Sequence, residues 1–227
     1  MKKLILICAL PLALLAADDL ERLRDKQDRP GLEKAALALQ TQAERAPDGP
    51  EAWYRAAAAE SYAAEVAMEL RDKQGSQRFA EAGIKHIEKA IQLDPKKADY
   101  YRLLGTLCGQ VIPANPIMGV LTYGKKAKEA LDKAIAMDPK SSKAFLARGV
   151  GNYYLPANFG GGPDVAIKDL QEAIRLDPRN ADAHLWMGMT LKKKQQNAQA
   201  REELQKALQL APERIWTKQQ LEKTPAQ

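Results

Sequence analysis

Four stretches decide the reading of this chain: KHIEKAIQLDP (85–95), EALDKAIAMDP (129–139), KDLQEAIRLDP (168–178) and EELQKALQLAP (202–212). Each closes on a proline, and the residues before it keep step. Five positions back stand Ala90, Ala134, Ala173 and Ala207; eight back stand Ile87, Leu131, Leu170 and Leu204; twelve back stand Gly83, Ala127, Ala166 and Ala200. Residues at such spacings share one face of an α-helix, and a small–large–small stripe lets a neighbouring helix approach closely. Proline cannot continue a helix, so each stretch predicts one that ends at its proline.

The register carries on past each proline. Six residues later comes a large side chain (Trp53, Tyr101, Phe145, His184), and ten later a small one (Ala57, Gly105, Gly149, Gly188). Glycine inside a helix costs about 1 kcal/mol relative to alanine, so its recurrence at one position predicts close helix contact. This large-x-x-x-small opening, the Ala-rich second helix and the closing proline resemble the tetratricopeptide repeat (TPR). The resemblance covers four units over roughly residues 50 to 212 and implies an all-α solenoid of antiparallel helix pairs. Ahead of them Ala35 and Leu39 fit a half repeat before Pro47, but Gln42 breaks the pattern. The chain divides accordingly into N-terminal helices at 18–49, units at 50–97, 98–141, 142–180 and 181–212, and a capping helix and tail at 213–227.

The units are unequal. The prolines are spaced 48, 44, 39 and 34 residues apart, against a family period of about 34. The surplus falls between the two helices of a unit. In the first it adds about four helical turns around Ala67 to Gln77, counted at the residues per turn of an α-helix. In the second it is Ile112 to Lys126, and in the third Leu155 to Asp164. Insertions of this kind fall on one edge of a solenoid, often the binding edge. The phrase Pro-Ala-Asn recurs at 113–115 and 156–158, where it either stops a helix or helps shape an apolar lip from Ile117, Met118 and Phe159. At the C-terminus ERIWTKQQLEK (213–223) supplies a cap, with Ile215, Trp216 and Leu221 over the last repeat. At the N-terminus DDLERLRDKQDR (18–29) reads as a charged helix stopped by Pro30-Gly31.

Composition agrees with helix and excludes much else. Of 227 residues 38 are alanine and only 6% are aromatic, which argues against a β-sandwich or barrel. Two cysteines and two histidines make neither a disulfide framework nor a structural zinc site. Lys2 and Lys3, the apolar run Leu4 to Leu15, and Ala16-Ala17-Asp18 read as a secretory signal over 1–17, cut after Ala17 or Ala16, with retention as an anchor the other possibility. Cleavage removes Cys8, leaves Cys108 alone, and takes the formal charge from +6 to +4 by loss of Lys2 and Lys3. The expected localisation is therefore exported, periplasmic or secreted, with no stable membrane insertion after cleavage.

Catalytic chemistry finds little footing. Gly160-Gly161-Gly162-Pro163-Asp164 opens a helix without the lysine and hydroxyl of a phosphate loop, and reads as a turn with Pro163 at the first helical position. His86 and His184 read as packing or surface residues, and Glu60, Glu65 and Glu69 as carboxylates on a solvated helix. Basic residues are interspersed with acidic ones, apart from runs such as Lys192-Lys193-Lys194, so no nucleic-acid partner is expected. No catalytic, cofactor or metal site is expected.

What remains is the concave surface that the resemblance implies for the first helices. Its inward positions fall here on Tyr54, Arg55, Ala58, Tyr62, Arg102, Thr106, Leu146, Val150, Tyr153, Tyr154, Leu185, Trp186, Met189 and Lys193. Aromatic residues, Met and Arg are what interaction surfaces enrich. The partner-binding groove is thus expected at Tyr54, Arg55, Tyr62, Arg102, Tyr153, Tyr154, Trp186 and Met189, with Ile117, Met118 and Phe159 at its loop edge. The family's clamp for chaperone C-termini needs Lys and Asn where this chain has Tyr54/Ala58 and Arg102/Thr106, so that ligand is not expected. The expected function is a non-catalytic scaffold that binds a protein or peptide in an extracytoplasmic complex. The chain also resembles periplasmic TPR accessory components of substrate-binding-protein-dependent transporters, which implies instead a ligand-handling role with an apolar cavity lined by Met118, Val150 and Met189.

Overall fold

The structure, a computed structural model, describes residues 17–226 apart from 115; the leader read at 1–17 lies outside them save for Ala17. It runs α1 (Ala17–Asp25), α2 (Arg29–Arg45), α3 (Pro50–Glu69), α4 (Lys73–Leu93), α5 (Ala98–Val111), α6 (Pro116–Gly119), α7 (Lys125–Met137), α8 (Ser142–Tyr154), α9 (Pro163–Leu176), α10 (Ala181–Lys193), α11 (Asn197–Leu210) and α12 (Ile215–Glu222). No strand occurs among the described residues. The fold is an all-α TPR solenoid in which α3/α4, α5/α7, α8/α9 and α10/α11 are antiparallel pairs. Helix starts follow local chemistry: Asp28, Asp72, Ser141 and Asn180 each accept a hydrogen bond from a backbone N–H three residues on.

The small–large–small stripe does what its spacing predicts. Ile87, Leu131, Leu170 and Leu204 are buried, as are the alanines in step with them. Burying each such side chain stabilises the fold by about 1.5–3 kcal/mol. Gly105, Gly149 and Gly188 sit directly against Leu131, Leu170 and Leu204 of the partner helix. The large residue six past each proline has a second task. Trp53 Nε1 donates to the Pro47 carbonyl (2.9 Å), Tyr101 OH to that of Pro95 (3.1 Å), and His184 Nε2 lies 3.0 Å from that of Pro178. The same bond thus pins the turn between units three times over; Phe145 has no donor with which to make it.

The lengthened segments differ from one another. In the first pair the extra residues extend both helices, to 20 and 21 residues, with a break at 70–72 where Arg71 has φ 65°. After α5 the chain makes a 3₁₀ turn (Ile112–Ala114), α6, and a π-helical turn (Val120–Gly124) that runs straight into α7. After α8 it makes a 3₁₀ turn (Ala157–Phe159) and then takes positive φ at Gly160 (84°) and Gly162 (105°) before Pro163 opens α9. Those angles favour glycine, which accounts for the Gly-rich turn without a phosphate.

The N-terminal region departs from expectation. Pro30-Gly31 does not stop α1: that helix ends at Asp25, and Pro30 lies in the first turn of α2, where a missing N–H costs nothing. Nor is α1 a merely solvated helix, because Leu20 and Arg24 are buried. Arg24 Nη1 reaches Asp182 of α10 at 2.8 Å. Arg214, in the turn before α12 and only 1% exposed, donates to the Arg24 carbonyl (3.2 Å) and to Glu65 (2.7 Å), and also pairs with Glu69. Gln27 receives a bond from Gln219 (3.3 Å), and Lys26 pairs with Glu213 (3.4 Å). The two ends of the described solenoid are therefore joined. Glu65 and Glu69 hold this junction, and Glu60 is buried against His86 (2.8 Å), so the reading of all three as solvated carboxylates is corrected.

Candidate binding site

The inner helices α3, α5, α8 and α10 surround a deep concavity of about 1320 Å³. Its wall includes Tyr54, Arg55, Ala58 and Tyr62 from α3, Arg102 and Thr106 from α5, Leu146, Val150 and Tyr154 from α8, and Trp186 from α10. Phe159 reaches it from the third insertion. These residues, expected from sequence to face one groove, are brought together.

Others are placed elsewhere. Leu185 is buried and Met189 half-buried in the cluster that α10 forms with Leu204 and Ala207 of α11 and Trp216 of α12. Tyr153 is half-buried beside Trp186, with Lys193 donating to its carbonyl at 2.7 Å. Ile117 and Met118 are exposed on the second insertion and do not line the concavity. The apolar cavity expected around Met118, Val150 and Met189 is accordingly corrected: only Val150 of the three lines the space, and charged side chains share the wall.

One end of the concavity is aromatic. There Tyr154, Trp186 and Trp216 line it, with Trp216 5.3 Å from Trp186, and Tyr153 behind them meets Tyr154 and Trp186 edge to face, the three rings lying at centroid distances of 4.9–5.7 Å. At the other end Tyr54 stacks on Tyr100 at 5.1 Å, while its hydroxyl and the Arg102 guanidinium both bind Asp99. Burial opposes the Asp99 charge, but Arg102 and Tyr54 outweigh it and hold this carboxyl down at about 2. Tyr62 donates to Glu21 (3.1 Å) beneath the Arg24 guanidinium, which ties the groove to the chain-end junction. Sequence reading missed Trp216 because it was assigned wholly to the cap. It also missed Asp99 and Asp182, although an acidic residue stands four past the proline in Glu51, Asp99 and Asp182.

The junction carries several perturbed groups. Arg24 and Arg214 face Asp25, Glu65, Glu69 and Asp182, an excess of carboxylates in a buried place. Burial pushes Glu65 up and Glu69 up to about 7, against the pull of the arginines. Burial opposes the Asp182 charge too, but Arg24 and Arg214 prevail and hold it below the usual range. Cys108 is a buried free thiol that burial pushes up to about 12.

Helix pairs stacked in register around a concave face define a tetratricopeptide-repeat protein, and the repeat's family model matches residues 161–221. The chain belongs to the family described as regulator of microtubule dynamics protein 1-3, whose model matches residues 15–155. No curated protein sequence matches it. Among solved structures it is similar to TTC0263, a thermophilic TPR protein of Thermus thermophilus, with TM-score 0.63, 18% identity, and coverage of 92% of this chain and 98% of that one. It is also similar to the HusA haemophore of Porphyromonas gingivalis, with TM-score 0.57, 16% identity, and coverage of 77% and 94%. At these identities the likeness concerns the fold alone.

Proposed function

We propose that the chain is a non-catalytic binding module that holds a protein or peptide segment in the concavity, as part of an extracytoplasmic complex. The observation that carries this is the convergence of Tyr54, Arg55, Tyr62, Arg102, Tyr154 and Trp186 on one space of about 1320 Å³. Large aromatic and arginine side chains at the centre of a contact supply most of its energy. The leader at 1–17 supports the extracytoplasmic setting, whereas the family's description suggests a partner on microtubules. Fractionation of tagged full-length chain separates the two.

The groove is tested by pull-down with wild type and with Tyr154→Ala/Trp186→Ala. Each anchor buried at the contact contributes about 2 kcal/mol, so partner recovery is expected to collapse in the double variant. Equal recovery sinks the groove assignment. The volume of the concavity also supports the second reading, a ligand-handling accessory of a transport system. Native mass spectrometry of freshly purified chain is then expected to show a retained small molecule, and a spectrum of apo protein alone counts against it.

A further inference from the structure

Every inner helix ends on the same edge of the solenoid, and each connection there leads to its outer partner. That edge carries α6 and the π-helical turn after α5, the Phe159 turn after α8, and the break after α3. Its apolar side chains project into solvent: Ile117 is 76% exposed, Leu121 68% and Phe159 55%. They sit on two separate insertions: Ile117 and Leu121 stand outside the concavity on the second, and Phe159, on the third, also borders it.

Cations share the edge with them. Arg71, Lys73, Lys125, Lys193 and Lys194 are exposed along this edge. Its carboxylates are already engaged: Asp72 caps Gly75 and pairs with Arg29 at 2.7 Å, and Asp164 pairs with Lys194. Lys125 has a side chain 86% exposed and meets Glu129 only at 3.7 Å, a surface pair of little strength. The opposite edge is mixed, with Asp94 beside Lys96 and Lys97, Asp138 beside Lys140, and Asp177 beside Arg179.

From this placement we infer that the insertion edge is a docking face for an anionic lipid surface, into which Ile117, Leu121 and Phe159 dip while Arg71, Lys73 and Lys125 meet the headgroups. Exposed apolar side chains flanked by lysine and arginine bind at the headgroup boundary through buried area plus attraction to anionic lipid. This is peripheral binding, which needs no helix crossing the bilayer among the described residues, and its Ile117 and Leu121 prongs lie outside the concavity that Phe159 borders.

Sedimentation of full-length chain with phosphatidylcholine vesicles, with and without phosphatidylserine, tests the assignment. Residues 1–17 are identical in every variant, so the increment from phosphatidylserine is the readout. That increment is expected in wild type and expected to fall as salt is raised. Ile117→Asp/Leu121→Asp is expected to lower the phosphatidylserine-dependent affinity about tenfold, and Arg71→Glu or Lys125→Glu about fivefold each. Leu37→Asp, at an exposed apolar site on α2, leaves it unchanged. Phe159→Asp, on the other insertion, repeats the test should the first variant unfold. Absence of any increment in wild type overturns the proposal. An increment that survives all of the edge variants overturns it equally.

Discussion

At Gly105 an added Cβ would lie 2.4 Å from Leu131 Cγ and 3.1 Å from the Ala127 carbonyl oxygen, so the helix pair closes only over a hydrogen atom. Gly109, one turn further along α5, has nothing within 4 Å. The two make a matched pair. Gly109→Ala is expected to stabilise the fold by up to about 1 kcal/mol, the helix propensity gained. Gly105→Ala gains the same propensity but overpacks a tight contact, which costs typically about 1–3 kcal/mol. Urea denaturation of both variants is expected to move the midpoints in opposite directions, and shifts of the same sign would remove the packing explanation. Positions of this kind were readable beforehand because they repeat: three glycines in one register cannot each be accidental. The recurring side-chain bond to the proline carbonyl was only half readable. Trp53, Tyr101 and His184 look unalike as letters, and what they share is a ring donor at one distance from the backbone.

At the scale of elements, α1 and the turn before α12 are where sequence reading fell short. Repeat logic treats terminal helices as caps, judged by their apolar residues, and says nothing about charged side chains that meet across more than a hundred positions. Arg24, Arg214, Glu65, Glu69 and Asp182 each look like solvated charges until the solenoid curves far enough to bury them together. The groove was more legible, because its residues follow the unit period; it failed where Leu185 and Met189 pack into the cluster of α10, α11 and α12. The junction predicts a pH dependence. Glu69 takes up a proton at about 7 in the fold, well above the value of an unfolded glutamate, so the folded state binds more protons than the unfolded one between those limits. Stability is therefore expected to fall as pH rises from about 5 to about 8, by on the order of 2 kcal/mol from this group. Glu69→Gln is expected to flatten that dependence. Arg214→Met leaves buried carboxylates without their cation, which costs about 3–5 kcal/mol where they are ionised and less where one is protonated. Denaturation at about pH 5.5 and about pH 8 checks both, and an Arg214→Met penalty equal at the two pH values would place the origin elsewhere.

For the whole molecule, joined ends change what a solenoid is. An open array touches only nearest neighbours and loosens from its termini. Here Leu20 and Arg24 near one end are as buried as Leu204 and Arg214 near the other. Hydrogen exchange is therefore expected to protect α1 and α10–α12 comparably with α5 and α7. Arg24→Gln, which removes the pair with Asp182, is expected to quicken exchange in α1 and α10 together. Quickening confined to α1 would mean that the ends merely touch.

Closure also bears on how such a chain can vary. A linear stack accepts another copy of its unit at either end. A closed circuit does not, since one more helix pair would carry Arg214 out of reach of Glu65 and Glu69, and one fewer would leave a gap. The count of pairs is thereby fixed, and novelty must enter where the circuit is indifferent to length, in the connections along a rim. The insertions after α5 and α8 are the visible record of that freedom.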